Sequence, residues 1–194
     1  MDTKQGFLIL ADISGFTALM TATDLEHGTA IITDLLEGVI QRISPPLEIQ
    51  EIEGDAVFAL ATDGALVPPA TLLDVLRAAF IGFQERLEAI VQSGDSCSCN
   101  ACSHVSRLRL KAIGHYGSFL PQTVAGRPQV SGSDVILVHR LLKNHVSREN
   151  HYTLLTRSAL ENMGLDPVTL GLRPHTESYE HFGDVECFVG RAET

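Results

Sequence analysis

A chain of 194 residues, of which 44% are hydrophobic and 20% charged, has the length and composition of a globular protein with a hydrophobic core. The formal net charge of −10 argues against a nucleic-acid or anionic-membrane surface, because both need a basic face. No apolar run approaches the roughly 20 residues that span a bilayer, and no secretory signal precedes the first apolar run, so we expect one cytoplasmic domain over residues 1–194.

The first informative stretch is 7–17, which reads FLILADISGFT. Its unbroken apolar run is typical of a strand that is buried on both faces. Asp12 places a carboxylate at the end of this strand, and Ser-Gly then separates the strand from the first turn of a helix. Such a carboxylate suits Mg²⁺ and the phosphates that the ion carries. The alternative is a strand that simply stops at a polar residue.

Hydrophobic periodicity and turn residues divide the chain into strands and helices. In chain order the predicted elements are a helix over 26–43 capped by Asp24, strands over 47–52 and 56–61, a helix over 70–92, strands over 108–115 and 119–124 with a turn at Gly117, a helix over 133–143 capped by Ser133 and Asp134, a strand over 151–155, a helix over 157–163 and a strand over 185–189. This order predicts an α+β sandwich, in which helices cover one face of a mostly antiparallel, ferredoxin-like sheet.

The connection between the strands over 47–52 and 56–61 carries a second carboxylate, Asp55, in the sequence EGDA. Glycine followed by aspartate between two strand-like runs is typical of a hairpin tip. If this hairpin lies beside the first strand, Asp12 and Asp55 converge. Two carboxylates that face each other need a cation between them.

The segment 93–106 contains a cluster of cysteine and histidine. Cys97, Cys99, Cys102 and His104 place four soft ligands within eight residues, and the C-x-x-C spacing is that of a zinc knuckle. A cytoplasmic location favours metal binding or redox chemistry over a static disulfide. Three interpretations stay open: a zinc ion with His104 as the fourth ligand, a redox-active dithiol, or simple exposed thiols.

Four motifs together resemble those of class III nucleotide cyclases in order and spacing. They are ADISGFT at 11–17, EGDAVFA at 53–59, IGHYG at 113–117 and GSDVILVHR at 132–140. The resemblance extends from residue 7 to about residue 143, and the chain looks closest to a group of stand-alone, cyclase-like bacterial proteins. It implies a homodimer of head-to-tail subunits, in which both copies build each of two equivalent active sites.

The resemblance also implies roles for individual residues. Asp12 and Asp55 correspond to the carboxylates that hold two divalent ions, Mg²⁺ or Mn²⁺, and the backbone carbonyl of Ile13 would complete one ion site. Arg140 corresponds to the arginine that stabilises the pentavalent phosphate, and the alternative is a plain solvated arginine on the helix surface. Ile136 stands where the family has an asparagine that steadies the ribose, so one donor is missing.

Three further positions bear on the nucleotide. The family's lysine for the terminal phosphates corresponds to Glu180, which would repel them, and Lys143 or Arg173 would then have to supply the cation. Glu51 and Gln129 correspond to the positions that select the base. They fit guanine better than adenine, because a glutamate can accept from guanine N1–H and N2–H₂, although Glu51 could equally be a plain surface carboxylate.

From these residues we expect a protein that binds a nucleoside triphosphate and divalent metal ions at a dimer interface. It would form a cyclic nucleotide and pyrophosphate, as a phosphorus–oxygen lyase of low activity. The alternative is a catalytically degenerate module that binds nucleotide and metal, or one that responds to zinc or redox state.

Overall fold

The structure is a computed structural model that describes residues 2–94, 104–146 and 151–191. Within these ranges it contains eight strands and five helices: β1 (Lys4–Ser14), α1 (Phe16–Ala22), α2 (Leu25–Ile43), β2 (Glu48–Glu53), β3 (Ala56–Thr62), α3 (Thr71–Gly94), β4 (Arg109–Val124), β5 (Arg127–Ser131), α4 (Ser133–Leu141), β6 (Tyr152–Thr156), α5 (Arg157–Met163), β7 (Arg173–Tyr179) and β8 (Gly183–Arg191). None of these helices is both long and apolar enough to cross a bilayer.

The strands form one sheet in the order β2-β3-β1-β4-β6-β8-β7, and β5 pairs with the second half of β4. Neighbouring strands are antiparallel except for β4 and β6, which run parallel. The predicted α+β architecture with a mostly antiparallel sheet is therefore confirmed.

Helices pack on both faces of the sheet, so the prediction that they cover one face is wrong. Residues of β1 alternate between two cores: Phe7 and Ile9 lie among the apolar residues of α2 and α3, whereas Leu8 and Leu10 lie with those of α4. The unbroken apolar run in β1 reflects this double burial. Because side chains of a strand point alternately to its two faces, Asp12 lies on the same face as Leu8 and Leu10, the face that holds α4.

Helices α2 and α3 cross at a pair of glycines. A Cβ atom on Gly38 would lie 2.8 Å from the carbonyl oxygen of Gly82, so the two backbones approach each other as closely as glycine allows. Ion pairs flank the crossing, Arg42 with Glu85 and Arg86 with Asp34.

Strand β4 continues through Gly117, where the sequence predicted a turn. Gly117 pairs with Gly6 of β1, and the turn lies instead between β4 and β5, at Ala125 and Gly126, which both have positive φ. A Cβ atom on Gly117 would lie 2.4 Å from Cγ of Asp134. This glycine is thus needed for close approach of a side chain, as is common for glycine inside strands.

Asp134 does not cap α4, contrary to the sequence prediction for Ser133 and Asp134. Gly132 is the N-cap residue, and no side chain caps this helix end. The Asp134 carboxylate instead accepts a hydrogen bond from the Ser118 backbone N–H at 2.7 Å and lies 3.2 Å from Nε2 of His115. Through these contacts Asp134 ties the start of α4 to β4.

Candidate active site

The end of β1 and the turn before β3 bring Asp12 and Asp55 together. Asp12 pairs with Ala56 across the two strands, and Asp55 precedes Ala56 at the turn between β2 and β3. The backbone N–H of Ile13 donates to the carbonyl oxygen of Asp55 at 3.1 Å, which fixes this turn against the end of β1. Two of the predicted site residues therefore lie near each other at the ends of two neighbouring strands inside the sheet, and Ile13 directly follows Asp12.

The surroundings of Asp55 disfavour a second negative charge beside that of Asp12. Burial and the nearby Asp12 carboxylate raise the pKa of Asp55 from 3.8 to about 6, although a backbone hydrogen bond and the Lys111 ammonium act in the opposite direction. A carboxyl group whose pKa is raised by desolvation and a like charge is a frequent feature of functional sites. A bound cation would offset both effects, because its positive charge favours the ionised form of the Asp55 carboxyl.

Lys111 is the residue of this site that the sequence analysis missed. Its Nζ atom lies 3.0 Å from Oδ2 of Asp12, and it also donates to the carbonyl oxygen of Leu142 at 3.1 Å. Lys111 is directly opposite Asp12 in the pairing of β1 with β4. The signal that could have revealed this ion pair was the antiparallel pairing of the two motif-bearing strands, which fixes the register of their side chains.

Arg140 and Ile136 lie one turn apart on α4, and both are exposed. The guanidinium carbon of Arg140 lies 5.8 Å from the centroid of the Phe182 ring, and its carbonyl oxygen accepts from the Tyr179 hydroxyl at 3.1 Å. Within the described ranges no hydrogen bond or ion pair joins Arg140 to either carboxylate. One chain alone thus presents the arginine and the carboxylates separately.

The proposed base-selecting residues line different surfaces. Glu51 is exposed on β2 and borders a small cavity of about 30 Å³ with Phe58 and His139, whose rings make an edge contact. Gln129 on β5 borders a separate cleft of about 350 Å³. The two side chains thus border different cavities.

Glu180 lies in the turn between β7 and β8 and is exposed, 3.7 Å from Nε2 of His181. Lys143 and Arg173 are exposed as well, the first just after α4 and the second at the start of β7. The structure thus leaves all three side chains at the surface.

The zinc prediction falls mostly outside the described residues, because Cys97, Cys99 and Cys102 lie there. His104 is described and is partly buried. The chain returns to the sheet at Leu108, which packs beside Gly15, so this segment rejoins the fold at the end of β1 that carries Asp12. In the described ranges no group of three or more His, Cys, Asp or Glu side chains is arranged to hold a metal ion.

A larger cleft, of about 880 Å³, runs along α3 toward the start of β4. Apolar side chains such as Phe80 and Val91 line it together with Arg109 and His151. Of the residues that the sequence analysis selected, those that the structure describes do not border this cleft.

Comparison with known proteins places the chain among its relatives. A family described as "Protein of unknown function (DUF2652)" matches residues 32–152, which is more than half of the chain. The chain belongs to the DUF2652 family. This DUF2652 protein is also 29% identical over 153 residues to the uncharacterized protein Rv2561/Rv2562 of Mycobacterium tuberculosis (strain ATCC 25618 / H37Rv), covering 79% of this chain and 69% of that protein.

Solved structures of similar fold are cyclase domains. The guanylyl cyclase Cya2 has a TM-score of 0.76 at 13% identity, covering 97% of this chain and 92% of that one. The adenylyl cyclase CyaB from P. aeruginosa gives 0.69 at 14%, covering 97% and 95%. The guanylate cyclase domain of RhGC from Catenaria anguillulae, in complex with GTP, gives 0.65 at 12%, covering 97% of both chains. The DUF2652 protein therefore has the fold of class III cyclase catalytic domains, as its motifs predicted.

Proposed function

We propose that this DUF2652 protein binds a nucleoside triphosphate with two divalent ions, Mg²⁺ or Mn²⁺, at a site shared by two copies of the chain, and forms a cyclic nucleotide and pyrophosphate at a low rate. The observation that carries the proposal is the pair Asp12 and Asp55, which lie together at the strand end of a cyclase-type sheet. The raised pKa of Asp55 supports it, because it indicates negative charge that the protein itself does not fully balance.

The residues present fit a hard divalent cation. Carboxylate and carbonyl oxygens are the ligands that Mg²⁺ and Mn²⁺ prefer, and Asp12, Asp55 and the Ile13 carbonyl offer them. These are too few for octahedral coordination, so phosphate oxygens and water must complete it. When bound, such ions supply the positive charge that activates an attacking hydroxyl and neutralises the phosphates.

Arg140 is the residue that would stabilise negative charge on the reacting phosphate. Its guanidinium can donate two parallel hydrogen bonds to a phosphate whose charge increases during the reaction. Because Arg140 is exposed and makes no contact with the carboxylates of its own chain, we assign it to the site of a partner copy. A homodimer then follows from the need to bring Arg140 to Asp12 and Asp55.

The low rate follows from two replaced donors. Ile136 is 55% exposed on the same face of α4 as Arg140, and it offers no hydrogen bond to a ribose. Glu180 offers a negative charge where a cation would bind the terminal phosphates. Loss of one donor that acts in the transition state typically reduces a rate by about 10²–10³.

A second candidate function is a module that binds nucleotide and metal without turnover. The same two residues, Ile136 and Glu180, favour it, because neither is needed for binding through the metal ions. The two functions differ only in whether product forms.

Thermal unfolding with each nucleoside triphosphate, with and without Mg²⁺ or Mn²⁺, tests the binding. We expect metal-dependent stabilisation of the wild-type protein, largest with GTP if Glu51 accepts from the base. Asp12→Ala and Asp55→Ala should each abolish this stabilisation, whereas the exposed Glu53→Ala should retain it. Unchanged stabilisation in Asp12→Ala would refute the site.

Chromatography of the products and light scattering test the rest. A cyclic nucleotide formed slowly with Mn²⁺ supports the enzyme, and binding without product supports the second candidate. A monomer at micromolar concentration, with nucleotide bound, would contradict the shared site, because Arg140 would then be absent from it.

A further inference from the structure

We propose that Lys111 is a positioning residue that occupies the Asp12 carboxylate in the metal-free protein and competes with divalent ions for it. This inference rests on the proposed function, because it concerns the same metal site. It assigns a role in metal affinity to a residue outside the carboxylates themselves.

The geometry gives Lys111 two partners at once. Its ammonium group lies 3.0 Å from Oδ2 of Asp12 and donates to the carbonyl oxygen of Leu142 at 3.1 Å. The side chains of Lys111 and Asp12 are only 19% and 14% exposed, so solvent screens this pair less than a surface ion pair. The carbonyl oxygen of Leu142 thus gives the ammonium group a second partner besides Asp12.

A divalent ion bound to Asp12 would therefore lie beside the Lys111 ammonium group, which the Leu142 carbonyl also binds. The two cations would repel each other, because both would be held by the same Asp12 carboxylate. Lys111 also neutralises one of the two negative charges that Asp12 and Asp55 offer. Both effects lower the affinity for a free metal ion, and they favour ions that arrive with the negative charge of a nucleotide.

The second partner of Lys111 connects the metal end of the site to α4. Leu142 follows Arg140 by two residues, directly after the end of the helix. When a metal ion takes Asp12, the ammonium group loses its carboxylate but keeps the Leu142 carbonyl. The Leu142 contact therefore keeps the ammonium group beside the site whichever cation Asp12 holds, and it leaves the helix end that carries Arg140 in place.

Titration calorimetry with Mn²⁺ alone, on the metal-free chain of 194 residues, tests the inference. Lys111→Met removes the charge at similar length and should bind Mn²⁺ at least tenfold more tightly than the wild-type protein. Lys111→Arg keeps the charge and should remain within about threefold of it. Lys4→Met removes the same charge from an exposed position at the start of β1 and should also change the affinity little. A merely structural role of Lys111 predicts the opposite result, since a disordered site binds metal less well.

Each outcome decides between the two proposals. If the wild-type protein binds Mn²⁺ and Lys111→Met binds it equally or more weakly, competition by Lys111 is wrong while the metal site stands. If neither protein binds Mn²⁺, the metal site and the role of Lys111 are both wrong. If Lys111→Met binds Mn²⁺ and the wild-type protein does not, the result supports competition by Lys111 in its strongest form. If Lys111→Met does not fold, Lys111→Gln, which is uncharged but can still donate to Leu142, is titrated in the same way and judged by the same criteria.

Discussion

Replacement of Asp55 by asparagine should stabilise the metal-free protein, although it removes a residue of the proposed site. The pKa of Asp55 is raised from 3.8 to about 6, first by burial and then by Asp12, so the folded state holds the proton more tightly than the unfolded state does. The free energy of unfolding must therefore fall as pH rises from about 4 to about 6. Above this range the whole loss of unfolding free energy caused by ionisation of Asp55 is present, and below the range the loss is absent.

The magnitude follows from the shift. A shift of about two pKa units corresponds to about 3 kcal/mol, and partial exposure of the carboxyl to screening solvent reduces this to about 1–2 kcal/mol. Asparagine has nearly the same shape but does not ionise. The turn itself should persist, because the hydrogen bond from Ile13 goes to the backbone carbonyl of Asp55 and not to its side chain.

Urea unfolding in the presence of a chelator measures this effect. Asp55→Asn should exceed the wild-type protein in free energy of unfolding by about 1–2 kcal/mol at pH 7.5, and the difference should vanish near pH 4. The matched control is Glu53→Gln, which removes one charge from an exposed position two residues away and should show no such pH-dependent gain. A variant of Asp55 that is less stable at pH 7.5, or a difference that does not change with pH, would refute the electrostatic argument.

Three further predictions concern other parts of the chain. Gly38→Ala should lower the free energy of unfolding by about 1–2 kcal/mol in urea unfolding, because its Cβ meets the α3 backbone. Gly28→Ala in the same helix meets only side-chain atoms, of Met20 and Thr23, and should cost less. Ile136→Asn should raise the rate of cyclic nucleotide formation at least tenfold in a product assay, and a rate unchanged from wild type would mean that the missing donor lies elsewhere. Elemental analysis of protein purified without chelator should find about one zinc per chain, and Cys99→Ser should lose it; a content below about a tenth would contradict the zinc site.

Much of the central sheet could be predicted from the sequence because its patterns are local. The apolar run of β1 and the helical spacing of α2 each depend on neighbouring residues, and Asp24 caps α2 as predicted by accepting from the His27 backbone N–H at 2.9 Å. The convergence of Asp12 and Asp55 followed from placing the hairpin beside β1. That step needed only one assumption about pairing.

The misplaced turn at Gly117 has a nonlocal cause. A glycine followed by serine is typical of a turn, yet Gly117 is needed because the Asp134 carboxylate, 17 residues away in the chain, reaches the backbone of β4 there. The same long-range contact removed Asp134 from its predicted role as a helix cap. A pattern search along the chain cannot distinguish these two uses of glycine.

Strand β7 was missed for a related reason. Its sequence RPHTESY has no apolar alternation, and Glu177 is its one fully buried residue. This carboxylate accepts from the His145 backbone N–H and contacts the rings of His145 and His175, so burial is compensated by partners from two segments. The burial of a glutamate in an edge strand can be predicted only when those partners are known.

The contacts that hold α4 explain why the proposed site can be intact and still turn over slowly. Asp134 fixes the start of the helix to Ser118, Lys111 fixes the segment after it through Leu142, and Tyr179 binds the Arg140 carbonyl. All three contacts are made within the chain, so the fold itself sets the position of Arg140. A low rate would then reflect the chemistry of the side chains at the exposed surface of α4 and not a disordered site. That distinction makes restoration of single donors a meaningful test, because a donor placed on an already ordered helix contributes without further rearrangement.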